Sequence, residues 1–311
     1  MKTKSPVAYY GGKANLASEI LPLIPPCVQY IEPFFGSGAI FFSKRKSKNE
    51  VINDLNGSVT NFYWQLKTNF AELQKMVQAT LHSEILYIKA KAMLRDENTP
   101  PLEKAWAFWV GCNMAFGHVL FGGFAFGETG SGGGTKNKRD QFTDKFSKRL
   151  EHCEIFNRDA VELILLKDSE STFHYIDPPY VSSVMGHYDG YTMEDFTKLL
   201  EVLKNIKGKF LLSSYPEEIL LKYRAECGWN SKDIKQIVLV SGKREETKYK
   251  TECLTFNYPV PNAQGGLFDV PAEIESQEEE SETEEEIFYP EQRESAIKLI
   301  KSIIPETDAN N

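Results

Sequence analysis

A strand pattern gives way to a helical pattern across one short segment, which reads Glu32-Pro33-Phe34-Phe35-Gly36-Ser37-Gly38. The apolar run at 28–31 precedes this segment, and the apolar spacing of 39–46 is typical of a helix. A second short strand is predicted at 51–52, where it runs into Asn53-Asp54. Strand, glycine turn, helix and strand in this order predict a βαβ unit, which is the repeating element of a parallel sheet.

The rest of the chain continues this alternation of strands and helices. Strands are predicted at 154–156, 172–176, 209–213, 235–241 and 251–258, and helices at 13–24 and 193–206. The last two strands flank a charged turn, so they predict a C-terminal antiparallel hairpin. Residues 57–115 have a mostly helical pattern, and 116–137 are rich in glycine and phenylalanine. We therefore predict an open α/β sheet with a mostly helical insert at 57–150.

Composition limits the class of protein. Of the 311 residues, 41% are hydrophobic and 26% are charged, which is ordinary for a globular chain and excludes collagen-like, disulfide-dense and wholly disordered classes. No apolar run approaches the ~20 residues that span a bilayer, and the N-terminus lacks the apolar core of a secretory signal. The five cysteines and five histidines are scattered, so we expect reduced thiols, no metal site, no membrane contact and a cytoplasmic location.

Charge is distributed unevenly along the chain. Residues 1–268 contain 33 basic and 30 acidic side chains, whereas 269–311 contain 3 basic and 14 acidic ones. A mildly basic body permits a nucleic-acid partner without demanding one. The Glu-rich and Ser-rich composition predicts a disordered acidic linker at 263–290, a short amphipathic helix at 291–304 and a disordered tail at 305–311.

The glycine turn at 36–38 predicts a ligand site at the carboxyl edge of the sheet, because glycine lets a ligand approach the backbone closely. The dinucleotide fingerprint needs a third glycine where Phe41 stands, and the phosphate-binding loop needs a Gly-Lys-Ser/Thr sequence that this segment lacks. The turn therefore suits a nucleoside without a pyrophosphate. Asp54, at the end of the next strand, would accept both ribose hydroxyls. Taken alone, the same residues also fit a tight turn with a capping aspartate.

A second motif, Asp177-Pro178-Pro179-Tyr180, directly follows the strand at 172–176. Its two prolines end the strand and stiffen a segment that holds a carboxylate, a main-chain carbonyl and an aromatic ring. The exocyclic amine of a nucleobase requires such a set, because two acceptors hold its N–H groups while the base stacks on the ring. A structural alternative remains, in which the prolines only close the strand and Asp177 caps the loop.

Three segments in this order, Tyr9-Tyr10-Gly11-Gly12-Lys13, Glu32–Gly38 and Asp177–Tyr180, resemble the Dam-like DNA adenine-N6 methyltransferases of the alpha group. This resemblance implies a Rossmann-like class I methyltransferase sheet, which is mixed because of its C-terminal hairpin. It also implies a target-recognition role for the insert. The S-adenosylmethionine-binding catalytic domain would comprise 1–56 and 151–262, and the target-recognition insert would comprise 57–150.

The resemblance also implies roles for particular residues. Cofactor contacts are implied at Tyr9, Lys13, Glu32, Pro33, Phe34, Phe35, Gly36, Ser37, Gly38, Asp54, Asp159 and Asp177. Among these, Asp54 would bind the ribose and Asp159 the adenine amine of S-adenosylmethionine. Catalytic roles are implied for Asp177, Pro178, Pro179 and Tyr180. The Asp177 carboxylate and the Pro178 carbonyl would hold the target amine, and Tyr180 would stack on the base. Transfer would be in line, without a covalent enzyme intermediate.

Double-stranded DNA is the partner that the resemblance implies. Contacts with DNA are predicted at Lys136, Lys138, Arg139, Tyr188 and Tyr191. The three basic residues would bind phosphates, unless they form a solvated basic face. The two tyrosines would close over the flipped base. The peptide Gln264-Gly265-Gly266-Leu267-Phe268 resembles the short segment by which bacterial proteins bind the replication sliding clamp, although a strand end tucked onto the core would fit it as well.

The motifs together favour a site-specific DNA methyltransferase that flips an adenine out of the duplex and methylates its N6 amine, either beside a restriction enzyme or alone. Asp177 favours adenine, because cytosine-N4 enzymes commonly carry serine at the corresponding position. Two other functions stay open at this point. One is methylation of cytosine N4 or of adenine in RNA, and the other is a non-catalytic DNA-binding protein of the same fold.

Overall fold

The computed structural model describes residues 5–126, 131–181, 191–238 and 248–259, which all belong to one compact unit. Their central feature is a seven-stranded sheet. The strands are β1 Gln29–Glu32, β2 Asn49–Asn53, β3 Cys153–Phe156, β4 Thr172–Ile176, β5 Lys209–Ser214, β6 Asn230–Val238 and β7 Lys248–Phe256. Their order across the sheet is β3-β2-β1-β4-β5-β7-β6.

The first five strands are parallel, and β7 lies antiparallel between β5 and β6. This mixed order confirms the predicted Rossmann-like methyltransferase sheet with its C-terminal hairpin. Strand β4 is buried along its whole length, as expected of a central strand with both faces covered. Because β1 and β4 are parallel neighbours, the segments that follow Glu32 and Ile176 leave the sheet at the same edge. The two sequence motifs therefore meet there.

Helices fill the connections between the strands. The α-helices are α1 Ala17–Ile20, α2 Gly57–Thr68, α3 Phe70–Gln78, α4 Glu84–Arg95, α5 Pro101–Asn113, α6 Ser131–Asp140, α7 Lys145–Arg149, α8 Ala160–Lys167, α9 Met193–Asn205 and α10 Glu218–Cys227. The helix predicted at 13–24 is divided into 3-10 turns at Lys13–Asn15 and Leu21–Leu23 around the short α1. Pro22 contributes to this division, since it lacks the N–H that would continue the helix. Helices α8 and α10 were not predicted.

The regular helix predicted at 39–46 is wrong, because the structure has hydrogen-bonded turns there. Two helix-like bonds form, from Phe42 N to Gly38 O and from Lys44 N to Ile40 O, each 2.9 Å long. After the turns, the Lys44 ammonium bonds to the buried Glu50 carboxylate on β2, which links this connection to the next strand.

Helices α2–α7 form the predicted insert, and they share one hydrophobic core with the sheet. Phe62 of α2 and Trp109 of α5 belong to the same buried cluster as Tyr30 of β1 and Phe173 of β4. Side chains of α2 and α5 are therefore packed against the strands that carry the motifs.

A buried ion cluster ties the end of the insert to the sheet. Arg149, the last residue of α7, forms a bidentate pair with Glu50 of β2, and one of these bonds measures 2.8 Å. Arg149 also donates to the Phe41 carbonyl at 3.0 Å and lies over the Phe41 ring. Burial works to raise the pKa of Glu50, but hydrogen bonds from Arg149 and Lys44 hold it below its usual value. The carboxylate thus stays charged and joins the two parts of the fold.

Some sequence predictions concern residues that the structure leaves undescribed. These are the linker at 263–290, the helix at 291–304, the tail at 305–311, the clamp-like peptide Gln264–Phe268 and the DNA contact Tyr188. Among the helices that are described, none is long and apolar enough to cross a membrane. Across the four described ranges, no cluster of three or more histidine, cysteine, aspartate or glutamate side chains is arranged to hold a metal ion.

Candidate active site

The glycine turn after β1 depends on two backbone conformations that favour glycine. Gly36 has a φ of 47° and Gly38 a φ of 62°, both in the left-handed region. A Cβ at Gly38 would lie 2.5 Å from Cζ of Phe35, a ring that is buried. The turn is also held from the insert, since the Tyr63 hydroxyl of α2 donates to the Gly36 carbonyl at 3.1 Å. The Phe35 ring and the Tyr63 hydroxyl therefore both restrict the backbone conformation of this turn.

The other residues of the segment 32–38 pack around the turn. Phe34 is partly buried and packs against the cluster that contains Ile176 of β4. Pro33, Phe35 and Ser37 are buried. The Pro33 carbonyl accepts a 2.9 Å bond from Asn53 of β2, and the Ser37 carbonyl accepts one of 2.6 Å from the Ser5 hydroxyl. These bonds connect the turn to its neighbours through the main chain, and Gly36 of the turn faces the Tyr9 ring.

Asp54 supports the glycine turn directly. Its Oδ2 accepts a 2.9 Å bond from Gly36 N, and its Oδ1 accepts one of the same length from Asn56 N. Burial raises the pKa of Asp54 to about 6, although these two bonds work against the rise. The carboxylate therefore positions the turn, and its predicted contact with a ribose stays a prediction.

The second motif leaves the sheet directly after β4 and is closed by Lys13. The Lys13 ammonium lies 2.6 Å from Asp177 Oδ1 and 3.0 Å from the Gly11 carbonyl, and it also lies over the Tyr180 ring, 4.8 Å from its centroid. Within the described residues, Asp177 Oδ2 receives no hydrogen bond. Lys13 thus joins the N-terminal segment to the second motif and leaves one carboxylate oxygen of Asp177 open.

A buried glutamate that sequence reasoning missed lies behind this motif. Glu252 of β7 accepts hydrogen bonds from the hydroxyls of Tyr180 and Ser213, and its Oε1 lies 3.9 Å from the Lys13 ammonium. The Tyr180 ring also contacts Tyr215, with 4.3 Å between the ring centroids. The sequence shows a charged residue within a predicted strand at 251–258, but it gives no indication of the partners of Glu252.

Burial shifts the acidity of the carboxyl groups at this edge of the sheet. It raises the pKa of Glu32 to about 8, with the charge of Asp177 adding to the rise and a 2.8 Å bond from the Tyr30 hydroxyl opposing it. It raises the pKa of Asp177 to about 6, against the effect of Lys13 and with a contribution from Glu252. At pH 7 Glu32 is therefore mostly neutral and Asp177 mostly charged.

Asp159 and Tyr191 lie on the side of the site formed by α8 and α9. Asp159 caps α8, where its Oδ1 accepts from Val161 N at 2.9 Å and from Glu162 N at 3.1 Å. The Tyr191 ring contacts Phe34 edge-on, with centroids 6.1 Å apart. Its hydroxyl is buried and has no hydrogen-bond partner among the described residues. The structure thus brings Tyr191, predicted to contact DNA, into contact with the segment predicted to bind the cofactor.

The basic residues of α6 differ in their burial and in their hydrogen bonds. Lys138 is half-buried and donates to the Ser5 carbonyl at 2.9 Å, and burial lowers the pKa of its ammonium. Arg139 donates to the Thr80 carbonyl at 2.9 Å. Lys136 is exposed to solvent. Of the three predicted phosphate contacts, Lys138 and Arg139 therefore have a packing role within the fold.

The strand order and the two motifs at one sheet edge define a methyltransferase of the Rossmann-like class. Comparison with known proteins then gives the family. The family model for D12 class N6 adenine-specific DNA methyltransferases matches residues 9–252, and the chain belongs to this family. This result confirms the predicted family, the enzymatic activity and adenine in DNA as the target.

Individual proteins agree with this assignment. The chain is 26% identical to the type II methyltransferase M1.LlaDCHI of Lactococcus lactis subsp. cremoris, over 66% of this chain and 78% of that enzyme. It is 34% identical to the modification methylase StsI of Streptococcus sanguinis, but over only 21% of this chain and 10% of that enzyme. A solved structure from Pyrococcus horikoshii, proposed to be an RNA methyltransferase, aligns with a TM-score of 0.38 at 11% identity, over 81% of this chain and 87% of that one. The fold assignment rests on the strand order and not on that score.

Proposed function

We propose that this protein transfers the methyl group of S-adenosylmethionine directly to the N6 amine of an adenine that is flipped out of a specific DNA sequence. One observation carries the proposal. The glycine turn follows β1, the motif that begins at Asp177 follows β4, and these two strands are parallel neighbours. Ligands bound at the two adjacent strand ends would meet at short range, which is the arrangement that direct transfer requires.

The residues around the glycine turn fit S-adenosylmethionine. Gly36 lets the Tyr9 ring approach the turn closely, because a Cβ at this position would lie only 3.2 Å from Tyr9 Cδ1. The buried Glu32 carboxyl would meet the methionine ammonium, a cation that favours the charged form of the carboxyl. We assign the ribose to Asp54 and the adenine amine to Asp159. When bound, the cofactor supplies an electrophilic methyl group.

The residues of the second motif fit the target base. Lys13 holds Oδ1 of Asp177, so Oδ2 is available to accept one N–H of the amine. The Pro178 carbonyl accepts the other N–H, and the Tyr180 ring stacks on the base. After methyl transfer the nitrogen carries one proton too many, and Asp177 Oδ2 is placed to accept it. The proline ring at 179 keeps these groups in one geometry.

Recognition of the DNA sequence is assigned to the insert at 57–150, and cofactor binding and transfer to 1–56 and 151–262. The side chain of Lys136 is free to contact a phosphate, and Phe116 and Phe126 project into solvent from the same part of the insert. DNA contact at Tyr188 and clamp binding through Gln264–Phe268 stay predictions of the sequence.

The assignment of Asp177 is tested by Asp177→Asn and Asp177→Ala. Both variants lose the anionic acceptor, so we expect methyl transfer to DNA to fall roughly 10²- to 10³-fold or more. Calorimetry should find that S-adenosylmethionine still binds, since its assigned contacts lie mainly on the glycine turn. Asp140→Asn is the matched control, because Asp140 is an exposed residue at the end of α6.

Either of two results would overturn the proposed mechanism. One is wild-type turnover by Asp177→Ala. The other is a loss of cofactor binding as large as the loss of transfer, because Asp177 would then act mainly on the cofactor and not on the amine.

A further inference from the structure

Glu252 is a buried carboxylate that the proposed transfer leaves without a role. It lies near the middle of β7, is 4% exposed, and faces the loop that carries Asp177 and Tyr180. Burying a charge is costly unless hydrogen bonds and an opposite charge compensate it. Here the compensation comes from Tyr180, Ser213 and Lys13. Two of these three partners belong to the proposed active site.

The hydrogen bond from Tyr180 to Glu252 fixes the orientation of an aromatic ring. The ring is held at its hydroxyl end by Glu252 and on its side by Tyr215, with 4.3 Å between the ring centroids. A ring that is held at both places presents one face for stacking in a single orientation. Misplacement of a stacked base by about 1 Å can cost a transfer reaction roughly 100-fold in rate.

Lys13 lies between two carboxylates. Its ammonium is 2.6 Å from Asp177 Oδ1 and 3.9 Å from Glu252 Oε1. An amine that donates to Asp177 competes with Lys13 for the same negative charge. Glu252 offers Lys13 a second counter-charge, so the ammonium keeps a partner when Asp177 is shared with the substrate.

We propose that Glu252 is a positioning residue for methyl transfer, which holds the Tyr180 ring through its hydroxyl and shares the Lys13 ammonium with Asp177. Glu252 touches neither the methyl group nor the amine in this role. The inference rests on the proposed function, since Tyr180 and Asp177 must hold the target base for it to matter.

The charge of Glu252 also predicts how activity depends on pH. The charged and titratable groups that face Asp177 are Lys13, Tyr180, Glu252, Glu32 of β1 and Tyr175 of β4. Burial is the main cause of the raised pKa of Asp177, and the negative charge of Glu252 adds to it. Glu252→Gln removes that charge and keeps a hydrogen-bond acceptor. The acid limb of activity, which follows protonation of Asp177, should therefore move to lower pH.

The experiment first measures methyl transfer to unmethylated DNA by the wild-type protein and then by Glu252→Gln. We expect the rate constant at saturating DNA and cofactor to fall roughly 10- to 100-fold. The KM for DNA and the Kd for cofactor should both stay within about threefold of the wild-type values, because Glu252 touches neither ligand in this role. Glu154→Gln is the matched control, because it makes the same change at a solvent-facing site on β3.

A second variant keeps the test decisive if Glu252→Gln folds poorly. Tyr180→Phe retains the ring and removes the hydroxyl, which donates to Glu252 and lies 3.5 Å from Asp177 Oδ1, where it works to lower the pKa of Asp177. This variant should therefore slow transfer without moving the acid limb to lower pH, in contrast to Glu252→Gln. The two substitutions should be coupled, with a combined effect smaller than the product of the separate effects.

Each outcome separates this inference from the function on which it rests. An inactive wild-type protein would overturn the proposed function itself. An active wild type with an unchanged rate and acid limb in Glu252→Gln would overturn the positioning role alone. Two further results would overturn the positioning role, because both are expected of a carboxylate that only stabilises the fold. One is a slower Glu252→Gln with an unshifted acid limb. The other is independent effects of Glu252→Gln and Tyr180→Phe.

Discussion

Three carboxyl groups with raised pKa values lie at the edge of the sheet where the two motifs meet. Burial raises the pKa to about 8 for Glu32 and to about 6 for Asp54 and Asp177. These three residues could be predicted from sequence, because each lies in or beside a short motif. Glu252 could not, since its partners Lys13, Tyr180 and Ser213 are brought to it only by the order of strands in the sheet.

The raised pKa of Glu32 predicts a pH-dependent change in stability. The folded-state pKa, about 8, lies above the usual 4.5, so the stability that Glu32 contributes is complete below pH 4.5 and is lost as pH rises through 8. Glu32→Gln removes this loss. Urea unfolding without cofactor should give the wild type and Glu32→Gln equal free energies of unfolding near pH 4.5. At pH 7 the variant should be more stable by about 3 kcal/mol, since each pKa unit corresponds to about 1.4 kcal/mol.

Glu32→Gln should stabilise the protein but weaken its binding of the cofactor. Glu32→Gln cannot become an anion beside the methionine ammonium, so its affinity for S-adenosylmethionine should fall roughly tenfold or more. A stability difference that stays constant between pH 4.5 and 8 would contradict the assigned burial of an ionisable Glu32.

At the level of single elements, the strands were easier to predict than the connections between them. Strand β4 is rich in aromatic and β-branched residues, and its bounds match the predicted 172–176. The predicted helix at 39–46 is wrong, because the structure has turns there, and the sequence spacing of an apolar run does not reveal contacts such as the ion pair between Lys44 and Glu50. The glycine turn was predicted correctly as a turn, but its dependence on the buried Phe35 ring is visible only in the structure.

The glycine turn predicts unequal effects of two alanine substitutions. Gly38→Ala combines a left-handed φ of 62° with a Cβ 2.5 Å from the Phe35 ring, so it should destabilise the protein by about 2–3 kcal/mol and weaken cofactor binding. Gly11→Ala has a similar φ of 75° but no atom within 4 Å of its Cβ, and should cost about 1 kcal/mol. Urea unfolding of both variants measures the difference. Equal losses would show that the Phe35 ring does not restrict the turn.

At the level of the whole molecule, the insert and the sheet form one hydrophobic core. The helical composition that the sequence shows after residue 57 agrees with α2–α7, which lie between β2 and β3, whereas the bounds 57–150 of a target-recognition insert stay a prediction. The sequence did not predict that Phe62 and Trp109 would pack in the same cluster as Tyr30. Such contacts join positions far apart in the chain, and hydrophobic periodicity identifies a buried face without identifying what covers it.

The ion cluster between the insert and the sheet predicts a large effect of a single substitution. Arg149→Gln leaves the buried Glu50 carboxylate with only Lys44 as its cation, so it should destabilise the protein by about 3 kcal/mol. Lys148→Gln is the control, because the neighbouring Lys148 is exposed and, among the described residues, pairs with Asp144, so its loss should leave the stability close to that of the wild type. Urea unfolding at pH 7 compares them. Similar losses for the two variants would contradict the structural role of the cluster.

The central claim is that this protein methylates the N6 amine of adenine in DNA, and the most direct test identifies the methylated nucleoside. Wild-type protein is incubated with unmethylated DNA and S-adenosylmethionine that carries a tritiated methyl group, and the DNA is then digested and separated by chromatography. We expect label in N6-methyl-2′-deoxyadenosine, and roughly 100-fold less of it or lower with Asp177→Ala. Label in N4-methyl-2′-deoxycytidine, or unlabelled DNA from a protein that binds the cofactor, would show that adenine N6 is not the target.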